Sequence, residues 1–196
     1  MLLAQKQRSL LKKPIHWNPQ QPLPKPEERL AVTGHFLDDL FLLDNQHHQH
    51  QLGYHVISPF IVNGSILLVD RGWVPMTQNQ QPDPPIQTPT KTLTLNGSAY
   101  YPSPKQWVLG PKFSKLAPHI TVIELFDAKL MHHFLHKSIN PFIMRLDESA
   151  PYGYHRDWVV INMPPERHLG YALQWFTMAF VILILFISLN TQKTLK

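Results

Sequence analysis

Between Leu169 and Leu189 the chain reads LGYALQWFTMAFVILILFISL, about 21 residues without a charge. A helix rises about 1.5 Å per residue, so roughly 20 apolar residues match the ~30 Å hydrocarbon core of a bilayer. This pattern argues against an ordinary soluble fold. A helix apolar on every face needs cover all round, and residues 1–168 are too few to wrap it. Arg167 and His168 bound the stretch on one side and Lys193 and Lys196 on the other, while Tyr171, Trp175 and Phe176 fall where an interfacial aromatic belt sits. The expected arrangement is a globular domain held at a membrane by its C-terminal end.

Composition then narrows the chemistry. Cysteine is absent, which excludes disulfide staples, thiolate metal sites and cysteine nucleophiles. The formal charge of +5 is spread along the chain, with no Lys/Arg block beyond Leu11-Lys12-Lys13. Neither a nucleic-acid footprint nor a strong polybasic lipid patch follows. Orientation is a tie, because Arg156 and Arg167 before the span balance Lys193 and Lys196 after it. Only Met1-Leu2-Leu3-Ala4 precedes polar Gln5, so no complete signal peptide or first anchor is expected at the start.

Residues 1–30 are polar and rich in Pro and Gln, with Pro14, Pro19, Pro22, Pro24 and Pro26 opposing any long helix. They read as an extended lead-in. From Ala31 short β-branched and aromatic runs follow one another: AVTGHFL, LFLLD, YHVISPFIV, SILLVDRGWVP, TLTLNGSAYY, ITVIELF, FIMRLD and DWVVIN. The fold class is therefore mainly β, a small antiparallel barrel or sandwich with one amphipathic helix, plus the C-terminal transmembrane helix. Asn63-Gly64 predicts a type I′ hairpin, since both central residues of that turn need positive φ. Gln78 to Lys91 reads as an exposed loop. The one helical insertion runs from Asp127, as N-cap, to Lys137, with Leu130, Phe134 and Leu135 facing inward. The domains are then 1–30 lead-in, 31–163 β-rich domain, 164–190 membrane helix and 191–196 short basic tail.

Twelve histidines invite a metal reading, and two clusters carry it. His47, His48 and His50 lie among Asn and Gln at what looks like a solvated loop tip. His132 and His136 are one helical turn apart, zinc-like spacing without the glutamate of a His-Glu-x-x-His site. Asp38, Asp39, Asp44 and Asp70 follow no recognisable catalytic spacing, and no nucleophile elbow, phosphate loop or dinucleotide fingerprint occurs. An ordinary enzyme is not expected.

The entrance to the membrane helix is more informative. Pro165 suits a first helical position and Glu166 complements the positive end of the helix dipole. His168 then falls in the first turn, where imidazolium is disfavoured and the neutral, metal-ligating form is kept. Tyr171, Ala172, Trp175 and Ala179 follow at spacings of three and four, on one stripe. Two readings stand. His168 offers an axial nitrogen to a haem lying against Tyr171 and Trp175, or it is a wet interfacial residue beside an ordinary aromatic belt.

Four blocks carry a family resemblance: Gln5-x-x-Arg8; Gly53-Tyr-x-Val-Ile-Ser-Pro59-Phe60; Leu68-Val-Asp-Arg71-Gly72-Trp73-Val-Pro75; and His168-x-x-Tyr171-Ala-Leu-Gln-Trp175-Phe176. With them the chain resembles the surfeit-locus family of cytochrome c oxidase assembly factors. The resemblance implies two membrane helices, the first missing or truncated ahead of Gln5, both ends in the cytoplasm and the β domain on the periplasmic side of a bacterial inner membrane. It also implies a chaperone, not an enzyme, that binds haem a through the histidine heading the second helix, here His168 as iron ligand. Partners would be the oxidase catalytic subunit and other assembly factors or haem a synthase. Arg71 then has two readings. It closes a strand beside core-packing Trp73, or it faces a haem propionate or an oxidase subunit. Two other functions are open: a haem-free scaffold whose aromatic stripe packs on another subunit's helix, and a membrane-tethered metal enzyme resting on His132 and His136.

Overall fold

The run Ser65–Pro75 is apolar almost without alternation, which a strand tolerates only when both its faces are covered. The computed structural model meets that demand. It describes residues 12–102, 113–126, 128–158 and 165–194 and divides into two units, Met1–Trp158 and Val159–Lys196. The first unit holds strands β1 Ile15–His16, β2 Arg29–Phe36, β3 Leu40–His48, β4 Gln51–Val62, β5 Ser65–Pro75, β6 Leu93–Tyr100, β7 Phe113–Ala117, β8 Ile120–Ile123 and β9 Ile139–Leu146, with helix α1 Ala128–Leu135 before β9. The second holds helix α2, Pro165–Thr194.

Strand order β2-β6-β9-β5-β4 closes on itself because β2 also pairs with β4, giving a five-stranded barrel. β3, β8 and β7 extend the sheet beyond β4, and β1 lies on β2. Most pairings are antiparallel, as expected, but β5–β9, β3–β8 and β1–β2 are parallel. Parallel pairing needs a crossover. Between β8 and β9 that crossover contains α1, the single helical insertion read from the sequence.

Burial explains the long apolar strand. Leu67 and Val69 join Phe60, Leu95, Phe142 and Met144 inside the barrel. Ile66 and Leu68 face outward and are covered by α1 through Met131 and Leu135. Both faces of β5 are therefore dry. Small barrels fill their interiors with side chains, and fully burying a Phe60 or Phe142 contributes about 2–3 kcal/mol.

The Asn63-Gly64 turn forms between β4 and β5 with φ of 46° and 83°. The insertion helix is Ala128–Leu135, and Asp127 lies outside the described residues. Among its described side chains Met131 and Leu135 are buried and Phe134 is partly buried, while the Leu130 side chain lies outside the described residues. Part of the Pro-rich lead-in is structural: Trp17 is buried and meets the Phe142 ring edge-on at 5.0 Å. Its indole N–H donates to the Pro22 carbonyl at 3.0 Å. Of the eight β runs, DWVVIN forms no strand at Asp157 and Trp158, and its remaining four residues lie outside the described residues.

In the second unit, Leu169–Thr191 spans 23 residues at a mean hydropathy of 2.3, and none of the window is buried. It is long and apolar enough to cross a membrane. A soluble core helix of this composition would be buried, which this one is not.

Candidate functional site

Helix α2 begins at Pro165, in the position where a missing N–H costs nothing. His168 is the fourth residue of that helix, and its side chain lies outside the described atoms. Tyr171 and Trp175 follow one turn apart, and their side chains are 52% and 67% exposed. The helical period places His168, Tyr171 and Trp175 along one stripe at the head of the apolar segment. Of the first block, Gln5 and Arg8 lie outside the described residues, as do Met163 and Pro164.

The wall of the barrel holds the other sequence-nominated residue. Arg71 is only 2% exposed. Its Nε donates to the Tyr152 carbonyl at 2.8 Å, Nη2 to the Gln87 carbonyl at 2.7 Å and Nη1 to Ser58 Oγ at 3.3 Å. The guanidinium also lies over the Phe36 ring at 5.2 Å and the Tyr154 ring at 5.1 Å. Burial pushes its pKa down, opposed by the neighbouring Tyr154 hydroxyl. Three of its donors are used inside the protein, where they tie the 87 and 152 loops to β5 and Ser58.

Asp70, Gly72 and Trp73 build the surface around it. His55 aligns with Trp73 and Ile57 with Asp70, so β5 carries one extra residue here, a bulge. Gly72 absorbs it at φ +108°, and a Cβ there would stand 2.6 Å from the His155 carbonyl oxygen. Asp70 Oδ1 accepts the Gly72 N–H at 3.0 Å, and its carboxylate holds His55 Nδ1 at 3.0 and 3.1 Å. The Trp73 indole packs close to Gly53, where a Cβ would stand 2.6 Å from its Cε2, and donates from Nε1 to the Gln46 carbonyl at 3.0 Å. Gly72→Ala is therefore expected to cost about 2 kcal/mol through positive-φ strain and the clash. In a chain of this size that lowers Tm by roughly 4–8 °C. Thermal melts followed by circular dichroism check it, and an unchanged Tm would show that the bulge is not rigid.

Two histidines meet on the same face. His48 packs on Trp73 with ring centroids 5.2 Å apart and on His155 at 4.0 Å. Together with Pro75, Pro84 and Tyr154 they line an open pocket of about 370 Å³. The 155 segment is fixed there by Trp73 N–H to His155 O at 2.7 Å and His155 N–H to Trp73 O at 3.1 Å. Sequence reading placed His47, His48 and His50 together at a tip. They do lie at the tip between β3 and β4, with His47 and His50 exposed, while His48 packs on His155, far along the chain. A signal for the cluster did exist: Asp70 and Arg71 interrupt an apolar strand, and buried charges demand partners.

The second histidine cluster serves the end of α1. His132 Nδ1 donates to the Lys137 carbonyl at 2.7 Å, and His136 closes the helix at φ 50° with its N–H on the His132 carbonyl at 2.9 Å. Among the described residues, no group of three or more His, Cys, Asp or Glu side chains is placed to hold a metal ion.

A family model described as the SURF1 family matches residues 1–180 of this chain. No curated protein matches it.

Proposed function

The chain belongs to the SURF1 family, a family of oxidase assembly factors, and from that premise we propose that it binds haem a at His168 and helps insert it into the catalytic subunit of cytochrome c oxidase. The observation that carries the reading is the stripe His168, Tyr171, Trp175 at the head of the one described helix that is apolar enough to cross a membrane. A neutral imidazole in the first turn is a competent iron ligand. Exposed aromatic rings one and two turns on offer the macrocycle a flat apolar surface. Haem a is here the cargo, and redox chemistry belongs to the oxidase that receives it. The β domain then stands on the periplasmic side of an inner membrane, with the C-terminus in the cytoplasm, and meets the oxidase subunit or haem a synthase from that side.

The test is spectroscopic. Protein purified in detergent from cells that make haem a should show a Soret band, and His168→Ala should lower its intensity per protein at least tenfold. A band of unchanged position and intensity in the variant would remove His168 from the account.

A further inference from the structure

The open pocket of about 370 Å³ on the barrel face takes its two imidazoles from distant parts of the chain. His48 ends β3, in register with Gln51 of β4, and its ring rests on Trp73 with centroids 5.2 Å apart. His155 is held beside it through its main chain, by the paired hydrogen bonds with Trp73 at 2.7 and 3.1 Å. The two imidazole centroids are 4.0 Å apart, with the rings tilted by 48°. Their nitrogens are unused: among the described residues, neither ring donates or accepts a hydrogen bond. Other histidines of the barrel unit differ in this, since His55 Nδ1 is held by Asp70 and His132 Nδ1 by the Lys137 carbonyl. His48 is half-buried and His155 is exposed, so the pair opens to solvent.

We propose that His48 and His155 form a two-imidazole site for a divalent late transition-metal cation, Cu²⁺ ahead of Zn²⁺ or Ni²⁺. Imidazole nitrogen suits these ions, and the Irving–Williams order ranks Cu²⁺ first among them. Two imidazoles bound to one ion at about 2.0–2.1 Å have ring centres about 4.5–5 Å apart, so the pair must spread by roughly 0.5–1 Å. The exposed His155 ring has room to make that shift, while Trp73 backs His48. Water in the pocket, between the Gln49 and Gln51 side chains, completes the coordination. No carboxylate lines the pocket, which disfavours Ca²⁺ and Mg²⁺, ions that ask for oxygen ligands. A structural metal site closes with four protein ligands. Two ligands beside an opening suit a cation that enters and leaves. The site uses no residue of α2 and stands or falls apart from His168.

The full chain, without a polyhistidine tag and in uncharged detergent, is titrated with Cu²⁺ and with Zn²⁺ by calorimetry. One equivalent should bind more tightly than the rest, Cu²⁺ above Zn²⁺, and millimolar Ca²⁺ or Mg²⁺ should not displace it. His155→Asn should weaken that equivalent at least tenfold, and adding His48→Asn should weaken it little further, because one imidazole alone no longer chelates. Pulsed electron paramagnetic resonance of the Cu²⁺ form should show two imidazole nitrogens in the unaltered chain and one in His155→Asn. Where His48→Asn lowers the melting temperature, His155→Asn decides by itself, since its side chain is exposed. His47→Asn with His50→Asn, His132→Asn, and His168→Ala should each leave the affinity within twofold. Absence of a tight equivalent, an affinity that survives His155→Asn, or a loss reproduced by the substitutions at His47 and His50, His132 or His168 overturns the site.

Discussion

Arg71→Ala is expected to be among the most destabilising single substitutions in the barrel, lowering Tm by roughly 6–12 °C, which corresponds to about 3 kcal/mol in a chain of this length. Truncation strands the Tyr152 and Gln87 carbonyls and Ser58 Oγ, each bonded to the guanidinium at 2.7–3.3 Å. Leaving a buried acceptor unmade costs about 1–3 kcal/mol. The substitution also deletes cation–π contacts to Phe36 and Tyr154, worth about 1–2 kcal/mol when desolvated. Against these stands the cost of burying the charge, which truncation removes. Burial lowers the Arg71 pKa, so the folded state disfavours the cation, and that cost is present at every pH below the lowered value. It fades only as alkaline pH approaches that range. Near neutrality the penalty of Arg71→Ala should therefore be insensitive to pH. Arg71→Lys keeps the charge but cannot span three acceptors, and it should recover less than half of the loss. Circular dichroism melts of the three proteins decide it, and a shift below about 2 °C for Arg71→Ala would show that the loops at 87 and 152 hold without it.

The same residue shows how far sequence reasoning reached. Sequence reading left Arg71 either closing a strand or facing a propionate or an oxidase subunit, whereas its acceptors lie at Ser58, Gln87 and Tyr152. Two of them are backbone carbonyls, which every residue carries and no pattern marks. Local rules worked where the cause was local. Asn63-Gly64 turned as its φ preferences require, and α1 formed between two strands where the apolar period changed from two to nearly four. Long-range pairing was less legible. The parallel β5–β9 contact follows from a crossover, and neither strand's own residues distinguish it from an antiparallel neighbour. Trp17 was hidden among prolines because extended lead-ins and barrel plugs share the same composition. At the site, a helical stripe could be read from spacing alone, since it lies on one element. The clusters joining His48 to His155 and Arg145 to Trp158 are assembled across elements and appeared only with the fold.

The anchor carries the other large expectation. Replacing Phe180 and Ile184 together with arginine should release the chain from membranes into a carbonate-soluble fraction. Both are exposed, one turn apart on the same face near the middle of Leu169–Thr191. On an insertion scale Leu, Ile, Phe and Val each contribute about 0.3–0.6 kcal/mol at a helix centre. The dozen such residues in the span thus supply about 4–7 kcal/mol at most. Each arginine costs about 3 kcal/mol there and forfeits the apolar residue it replaces, so two bring the balance close to zero. One arginine would not suffice, because about half the driving force remains and a long side chain can snorkel toward the interface. The matched control, Phe180→Leu with Ile184→Leu, should stay membrane-bound. Retention of the double-arginine chain in the carbonate pellet would mean that something other than this helix holds it. Because His168 heads the same helix, released protein that keeps its barrel intact should also lose the His168-dependent Soret band. An intact band in that fraction would show that His168 holds the haem without the bilayer around its helix.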